Sequence, residues 1–201
     1  MNIKKFIDCP HVPGSLTPSR TLLLGAVARM ALKSHGQFIE VGVHQGQTAR
    51  MLAEVLTTDK YRKLHMYDSF KGLHGAVNED KGCPTFVEGH LDLKGVPPVD
   101  LPGIVHAGLV EITIPKELPS LIAFAHIDLD LYCPTSHVLP HVWYNLSHTG
   151  VMVIDDYKHP AWPGVEKAVK EFASQYNAVI EEWVFDAFPE AFQAVIFKES
   201  I

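Results

Sequence analysis

Four apolar runs in this sequence carry or end in acids. Phe38-Ile39-Glu40-Val41 holds Glu40 and breaks at Gly42. Lys63 to Tyr67 ends at Asp68, Leu121 to Ile127 ends at Asp128, and Val151-Met152-Val153-Ile154 ends at Asp155-Asp156. A carboxylate at the end of an apolar strand is costly to bury unless it is paired or bound to metal. Asp128, Asp155 and Asp156 gathered at one place would repel each other. A divalent cation resolves that repulsion, and hard cations such as Mg²⁺ prefer oxygen ligands. The competing reading is that each aspartate caps the helix that follows it, which aspartate does well. One acid alone fits capping; three converging acids favour a metal.

The second chemical feature is the turn after the first run, Gly42-Val43-His44-Gln45-Gly46. Glycine tolerates positive φ and, lacking a Cβ, lets a ligand approach the backbone. Glu40, Gly42 and Gly46 therefore read as a nucleoside-cofactor site. Glu40 holds either the cofactor's polar tail or a nearby amide; a buried acid on a helix N-terminus is the alternative. Asp68 lies slightly beyond the ~20-residue separation at which an acid accepts from ribose hydroxyls. The turn lacks the third glycine of G-x-G-x-x-G and the Gly-Lys-Ser/Thr of a P-loop, so a nicotinamide enzyme is disfavoured. Nucleophilic catalysis is also disfavoured, because no G-x-S-x-G elbow is present. Cys133 reads as a small residue at a helix entry. Trp143, Tyr144 and Trp162 read as packing and cleft wall.

These residues need elements to bring them together. Thr17-Pro18 starts a helix to about Ser34, with Leu22, Leu23, Val27, Met30 and Ala31 on one side. Strands are expected at 37–41, 63–68, 104–107, 121–128 and 151–154. Helices are expected at 47–57, 115–121, 135–146 and 163–176. Two last strands, 178–185 and 191–198, are joined through Phe188-Pro189-Glu190 as an antiparallel hairpin. Alternating strands and helices imply one α/β domain over 1–201, with a parallel sheet covered on both faces. The carboxyl ends of parallel strands share one edge, so the acids converge on one cleft. Residues 1–17 read as an irregular arm. Residues 71–100, rich in glycine and proline, read as a lid over the active site.

The chain has 201 residues, 47% hydrophobic and 20% charged, with a formal charge of -6. That balance offers no basic footprint for nucleic acid and none for an anionic membrane surface. No apolar run approaches the ~20 residues that span a bilayer. No signal peptide is read at the N-terminus. Cys9, Cys83 and Cys133 read as free thiols, which makes the cytoplasm the expected location. The twelve histidines form no HExxH or His-Cys cluster. A homo-oligomer is compatible with the chain.

Four pieces taken together carry a resemblance: Phe38-Ile39-Glu40-Val41-Gly42-Val43 with Gly46, Tyr67-Asp68-Ser69-Phe70-Lys71-Gly72-Leu73, His126-Ile127-Asp128-Leu129-Asp130-Leu131-Tyr132, and Val153-Ile154-Asp155-Asp156-Tyr157. In this order and spacing the sequence resembles the macrocin O-methyltransferase family, metal-dependent S-adenosylmethionine enzymes that methylate sugar hydroxyls. The resemblance covers roughly residues 18–197. It implies a Rossmann-like class I methyltransferase fold: a seven-stranded, mostly parallel sheet with helices on both faces and an antiparallel last strand. Glu40, Gly42 and Gly46 would line the methionine side of S-adenosylmethionine, and Asp68 with Ser69 beside it would bind the ribose. Asp128, Asp155 and Asp156 would hold Mg²⁺. The acceptor would be a hydroxyl of a sugar or glycosylated small molecule. Asp128 is the expected general base, with His159 and Lys158 as weaker candidates. Two alternatives stay open: a metal-independent methyltransferase and a non-catalytic S-adenosylmethionine-binding protein.

Overall fold

Strands form where the sequence offers unbroken apolar runs, and in the computed structural model these runs lie side by side in one seven-stranded sheet. The structure describes residues 16–81, 88–182 and 192–198. In chain order the elements are α1 (Pro18–Met30, followed by a 3-10 turn, Ala31–Lys33), β1 (Gln37–Val41), α2 (Gln47–Leu56), β2 (Leu64–Asp68), β3 (Ile104–Ala107), α3 (Val110–Glu117), β4 (Ile122–Ile127), α4 (Tyr132–Asn145), β5 (Leu146–Ile154), α5 (Pro163–Tyr176), β6 (Glu181–Glu182) and β7 (Ala194–Phe197). The strand order is β3-β2-β1-β4-β5-β7-β6. β1 to β5 pair in parallel, and β7 runs antiparallel to both β5 and β6.

This order places the site. The chain runs outward from β1 to β2 and β3, then returns to lay β4 on the other side of β1. Neighbouring β1 and β4 therefore send their connections in opposite directions. Ligand crevices of open α/β sheets lie at that switch point, beyond the strands' carboxyl ends. Glu40 pairs in register with His126, and Val41 with Ile127. The Gly42 turn and Asp128 thus leave the sheet together.

Strand alternation divides the core between the two faces. On one face Phe38, Met66, Phe124, Val153 and Val195 pack against Leu23, Leu24 and Val27 of α1 and Met51 and Leu52 of α2. On the other, Ile39, Tyr67, Ala125, Met152 and Ile196 pack against Ile114 of α3, Val138 and Val142 of α4 and Val169 of α5. Every residue of β4 is buried, as expected of a strand covered on both faces.

The elements follow the expected order, with differences that have local causes. α1 begins where expected, with Thr17 Oγ1 accepting the Arg20 amide at 3.4 Å. Its buried side is Leu23, Leu24, Val27 and Ala28, whereas Leu22 and Met30 are 36% and 48% exposed. α3 starts five residues before the expected position. Its buried Val110 and Ile114 are one helical turn apart, and Pro115 falls late in the helix, where it forgoes the ladder bond to the Glu111 carbonyl. α4 starts before Cys133-Pro134, because a first-turn proline removes only an amide that has no helical partner. The described parts of the last two strands are shorter than expected; residues 183–191 and 199–201 lie outside the described residues. So do 1–15 of the expected arm, with Cys9, and 82–87 of the expected lid, with Cys83. The described part of 71–100 is tied down. Lys71 bridges to Asp92, the Leu73 amide donates to the His90 carbonyl and the Leu73 carbonyl accepts the Gly89 amide, and Asp80 Oδ1 accepts the Tyr132 amide at the head of α4 at 2.9 Å.

Candidate active site

The turn after β1 is held by the acid after β2. Asp68 Oδ2 accepts the amides of Val43 and His44 at 2.7 and 2.8 Å. Its other oxygen accepts the Phe70 amide at 2.6 Å. One carboxylate thus fixes the glycine turn and the exit of β2 together. Gly42 (φ +87°) and Gly46 (φ +75°) both sit in the left-handed region. A Cβ on Gly42 would lie 1.7 Å from the Asp128 carbonyl oxygen, and one on Gly46 would lie 2.1 Å from Leu101 Cδ2. Packing against the Asp128 backbone demands Gly42, and the left-handed φ favours glycine at both positions. Gly42 also lines the cavity described next, whereas Gly46 stands behind the turn as the residue before α2.

A cavity of about 460 Å³ opens at the carboxyl edge of the sheet. Glu40, Gly42, Asp68, Ser69, Asp128, Asp155, Asp156 and His159 all line it. Parallel pairing thus brings together every expected site residue except Gly46. Leu73, His90 and Leu91 from the 71–100 segment form part of the same wall.

The acids do converge, and an arginine stands among them. Arg20 Nη1 donates to Asp155 Oδ2 at 2.9 Å and to Asp156 Oδ1 at 2.7 Å. The side chains are 10%, 2% and 7% exposed, so the pairs are shielded from water. Burial alone would favour neutral arginine; Asp155 and Asp156 reverse this and leave the guanidinium more firmly protonated than usual. Burial, opposed by Arg20, pushes the Asp155 carboxyl up to about 6. Asp128 is raised well above the usual carboxylate range by burial and then by Asp155 and Asp156. Asp130 is raised likewise by burial and then by Asp128 and Asp156. Oxygens of Asp128, Asp130 and Asp156 lie within 4.8 Å of one another. Asp130 (φ +62°) and Asp156 (φ +59°) both occupy the left-handed region, a strain that clusters at functional sites.

Glu40 caps no helix. It is 1% exposed, and His126, its neighbour across β1 and β4, is fully buried. His126 Nδ1 stands 3.4 Å from Glu40 Oε1. Among the described residues neither carboxylate oxygen and neither ring nitrogen has a properly directed hydrogen bond. Each such orphan costs about 1–3 kcal/mol. Burial raises the Glu40 pKa, with His126 opposing it. His159 sits at the cavity wall, with Nδ1 accepting the Ala161 amide at 3.1 Å and its ring edge-on to Phe192 at 4.8 Å. A neutral imidazole accepting at Nδ1 carries its proton on Nε2, an arrangement that suits a donor better than a base. Ser69 Oγ accepts the Lys71 amide at 3.1 Å.

Sequence reading passed over Arg20, Asp130 and His126. Arg20 carried a signal: it precedes the buried Leu23, Leu24 and Val27 by 3, 4 and 7 residues, which puts a charge on the apolar side of α1. Asp130 stood inside a quoted motif without a role. His126 was one apolar-flanked histidine among twelve, and only its register opposite Glu40 sets it apart.

The strand order, the antiparallel β7, the glycine turn and the acids at the ends of β2, β4 and β5 define a Rossmann-like methyltransferase fold. Residues 39–157 match the family model described as a methyltransferase domain, and the chain belongs to that family. It is an enzyme of the methyltransferase class. The resemblance to macrocin O-methyltransferases is supported at the level of the family. No curated protein matches the chain at the sequence level. Among solved structures, the O-methyltransferase NovP superposes with a TM-score of 0.75 at 20% identity, over 92% of this chain and 81% of that one. The calicheamicin methyltransferase CalS11 gives 0.73 at 22% identity, over 96% and 88%. An apo structure of CalS11, a TDP-rhamnose 3'-O-methyltransferase, gives 0.64 at 24% identity, over 88% and 77%. An O-methyltransferase from Bacillus cereus in complex with SAH gives 0.57 at 13% identity, over 98% and 90%. No described helix is long and apolar enough to cross a membrane.

Proposed function

We infer that this methyltransferase moves a methyl group from S-adenosylmethionine to a hydroxyl of a sugar or glycoside, assisted by a divalent cation such as Mg²⁺. The observation that carries this reading is one cavity in which the Asp68-pinned glycine turn faces the acid cluster across the β1–β4 switch point. The SAH bound by the Bacillus cereus neighbour supports the cofactor. The likeness to CalS11, a TDP-rhamnose 3'-O-methyltransferase, supports the sugar acceptor.

S-adenosylmethionine supplies a methyl group on a sulfonium, and a cation held by Asp128, Asp155 and Asp156 supplies Lewis acidity that makes a hydroxyl more acidic. Carboxylate oxygens suit a hard cation; Asp128 groups within 4.8 Å with Asp130 and Asp156, and separately with Asp155 and His126, and Asp155 Oδ1 has no partner among the described residues. The chain's own side chains do the rest. Glu40 and Gly42 wall the methionine side, and Gly46 supports the turn from behind. Asp68 and Ser69 meet the ribose. Asp128, which leaves the sheet beside the Gly42 turn, accepts the hydroxyl proton as general base. His159 orients the acceptor as a donor. The described part of the 71–100 segment, through Leu73, His90 and Leu91, excludes water as a lid. Holding the two reactants in line supplies much of the acceleration.

Arg20 favours a second reading, in which the guanidinium already neutralises Asp155 and Asp156 and no cation is required. Titration calorimetry of S-adenosylmethionine and S-adenosylhomocysteine, with Mg²⁺ and with EDTA, tests both readings when followed by a transfer assay over sugars, glycosides and catechols. Saturable binding with EDTA-sensitive transfer is expected. Transfer that survives EDTA and dialysis establishes the Arg20 reading. No binding in either condition removes S-adenosylmethionine.

A further inference from the structure

The acid cluster has a nitrogen beneath it. His126 lies two residues before Asp128 on β4, so the two side chains project from the same face of the sheet. Its register partner on β5 is Val153, two residues before Asp155. Across two adjacent strands the sheet therefore stacks an imidazole below a pair of carboxylates. One His126 ring nitrogen, one Asp128 oxygen and one Asp155 oxygen lie within 4.8 Å of one another. His126 is 0% exposed, and both ring nitrogens lack a hydrogen-bond partner among the described residues, as does Asp155 Oδ1. Gln193 is near Asp155, but its amide makes no hydrogen bond of acceptable geometry. A buried imidazole and a buried carboxylate oxygen left unpaired, with a partly buried aspartate grouped closely beside them, are what a bound cation would satisfy.

Glu40 completes the arrangement from behind. Its Oε1 faces His126 Nδ1 at 3.4 Å. Histidines that ligate metals commonly give their other ring N–H to a carboxylate, which fixes the tautomer and the ring orientation. A small turn of the ring that gives Nδ1–H to Glu40 would leave the Nε2 lone pair for a cation.

We propose that His126, Asp128 and Asp155 form a divalent-cation site with one nitrogen ligand, oriented by Glu40. The proposal rests on the reading that the acid cluster holds a cation, and it changes the ligand set and the class of cation. Imidazole suits Mn²⁺, Co²⁺ or Zn²⁺ better than Mg²⁺, which prefers oxygen. It also removes the competition with Arg20, which keeps Asp155 Oδ2 and Asp156 Oδ1 while the cation takes Asp155 Oδ1. Glu40 then positions a ligand.

The test is pulsed electron paramagnetic resonance of Mn²⁺ bound to the full-length, metal-stripped protein. Nitrogen-14 modulation from one imidazole is expected in the wild type. It should vanish in His126→Gln while Mn²⁺ still binds, at least about 10-fold more weakly. Glu40→Gln leaves the ligand in place and serves if His126→Gln fails to fold. It should keep the modulation and weaken Mn²⁺ by about 10–100-fold. Mn²⁺ bound without nitrogen modulation overturns this site and leaves an oxygen-only cation site standing. Modulation that persists in His126→Gln moves the nitrogen ligand to another histidine and also overturns it. Unchanged affinity in Glu40→Gln removes the orienting role. Failure of the wild type to bind Mn²⁺ removes the cation reading as well.

Discussion

Replacing Arg20 by methionine keeps the aliphatic stem of the side chain and deletes the charge. The guanidinium touches Asp155 at 2.9 Å and Asp156 at 2.7 Å, with all three side chains at most 10% exposed. Breaking a buried ion pair by removing one partner costs about 3–5 kcal/mol, because the remaining charge stays buried and uncompensated. For a domain of this size 1 kcal/mol corresponds to about 2–4 °C in Tm. The metal-free Arg20→Met protein should therefore melt about 6–20 °C below the wild type at pH 8. The loss should depend on pH. Arg20 stabilises the ionised form of Asp155, whose folded-state pKa is about 6. Its contribution is thus present above that value and fades as pH falls through it, leaving only the Asp156 contact. At pH 5 the gap should shrink by a third or more. Calorimetric melting at both pH values, after chelation, measures both quantities. A loss of less than about 4 °C at pH 8, or an equal loss at pH 5, would refute the idea that Arg20 neutralises the cluster.

Asp130 lies beside Asp128 and Asp156, and its folded-state pKa is raised. Ionised Asp130 therefore costs stability once pH passes its unfolded value near about 4. Asp130→Asn should raise the metal-free Tm at pH 8 by at least about 3 °C, with the advantage gone near pH 4; asparagine also tolerates the φ of +62°. No rise at pH 8 would mean the acids do not repel as placed. Gly42→Ala puts a Cβ 1.7 Å from the Asp128 carbonyl. It should lower Tm and weaken S-adenosylmethionine by at least about 10-fold in calorimetry, and unaltered binding would show that the turn relaxes freely. Asp68→Asn leaves only one acceptor oxygen for the three amides that Asp68 holds. Lost hydrogen bonds to a charged group are worth about 1.5–3 kcal/mol each, so cofactor affinity should fall by about 10–100-fold while the far-ultraviolet circular dichroism stays the same.

Local patterns alone located the strands and their acids. Continuous apolar runs fixed β1, β4 and the end of β5, because a strand buried on both faces has no polar side to show. Glycine marked the β1 turn, and Pro18 and Pro163 marked helix starts. The alternation of strands and helices implied a parallel sheet, and a parallel sheet has one carboxyl edge. The convergence of Asp68, Asp128, Asp155 and Asp156 follows from that geometry and was legible before any coordinates. α3 was misplaced because a proline at the sixth of eight residues reads as a start. Burial of Val110 and Ile114 overrode that signal.

Partnership across elements was not legible, because it depends on distances between residues far apart in the chain. The acids whose gathering favours a cation in the sequence are also met by Arg20, 135 and 136 residues away. Asp68 was read as facing a ribose, and the fold also gives it the task of holding the β1 turn. The reason for Gly42 is the backbone of Asp128, which only the register of β1 on β4 brings near. Glu40 stands out in the sequence as a cofactor-side acid, but nothing there pairs it with His126; that same register sets the two side by side in the buried interior. Residue types along the chain thus determined which side chains reach the carboxyl edge of the sheet. Tertiary structure decided which of them neutralise, support or leave unpaired one another there, since those energies depend on burial and angstrom-scale separation.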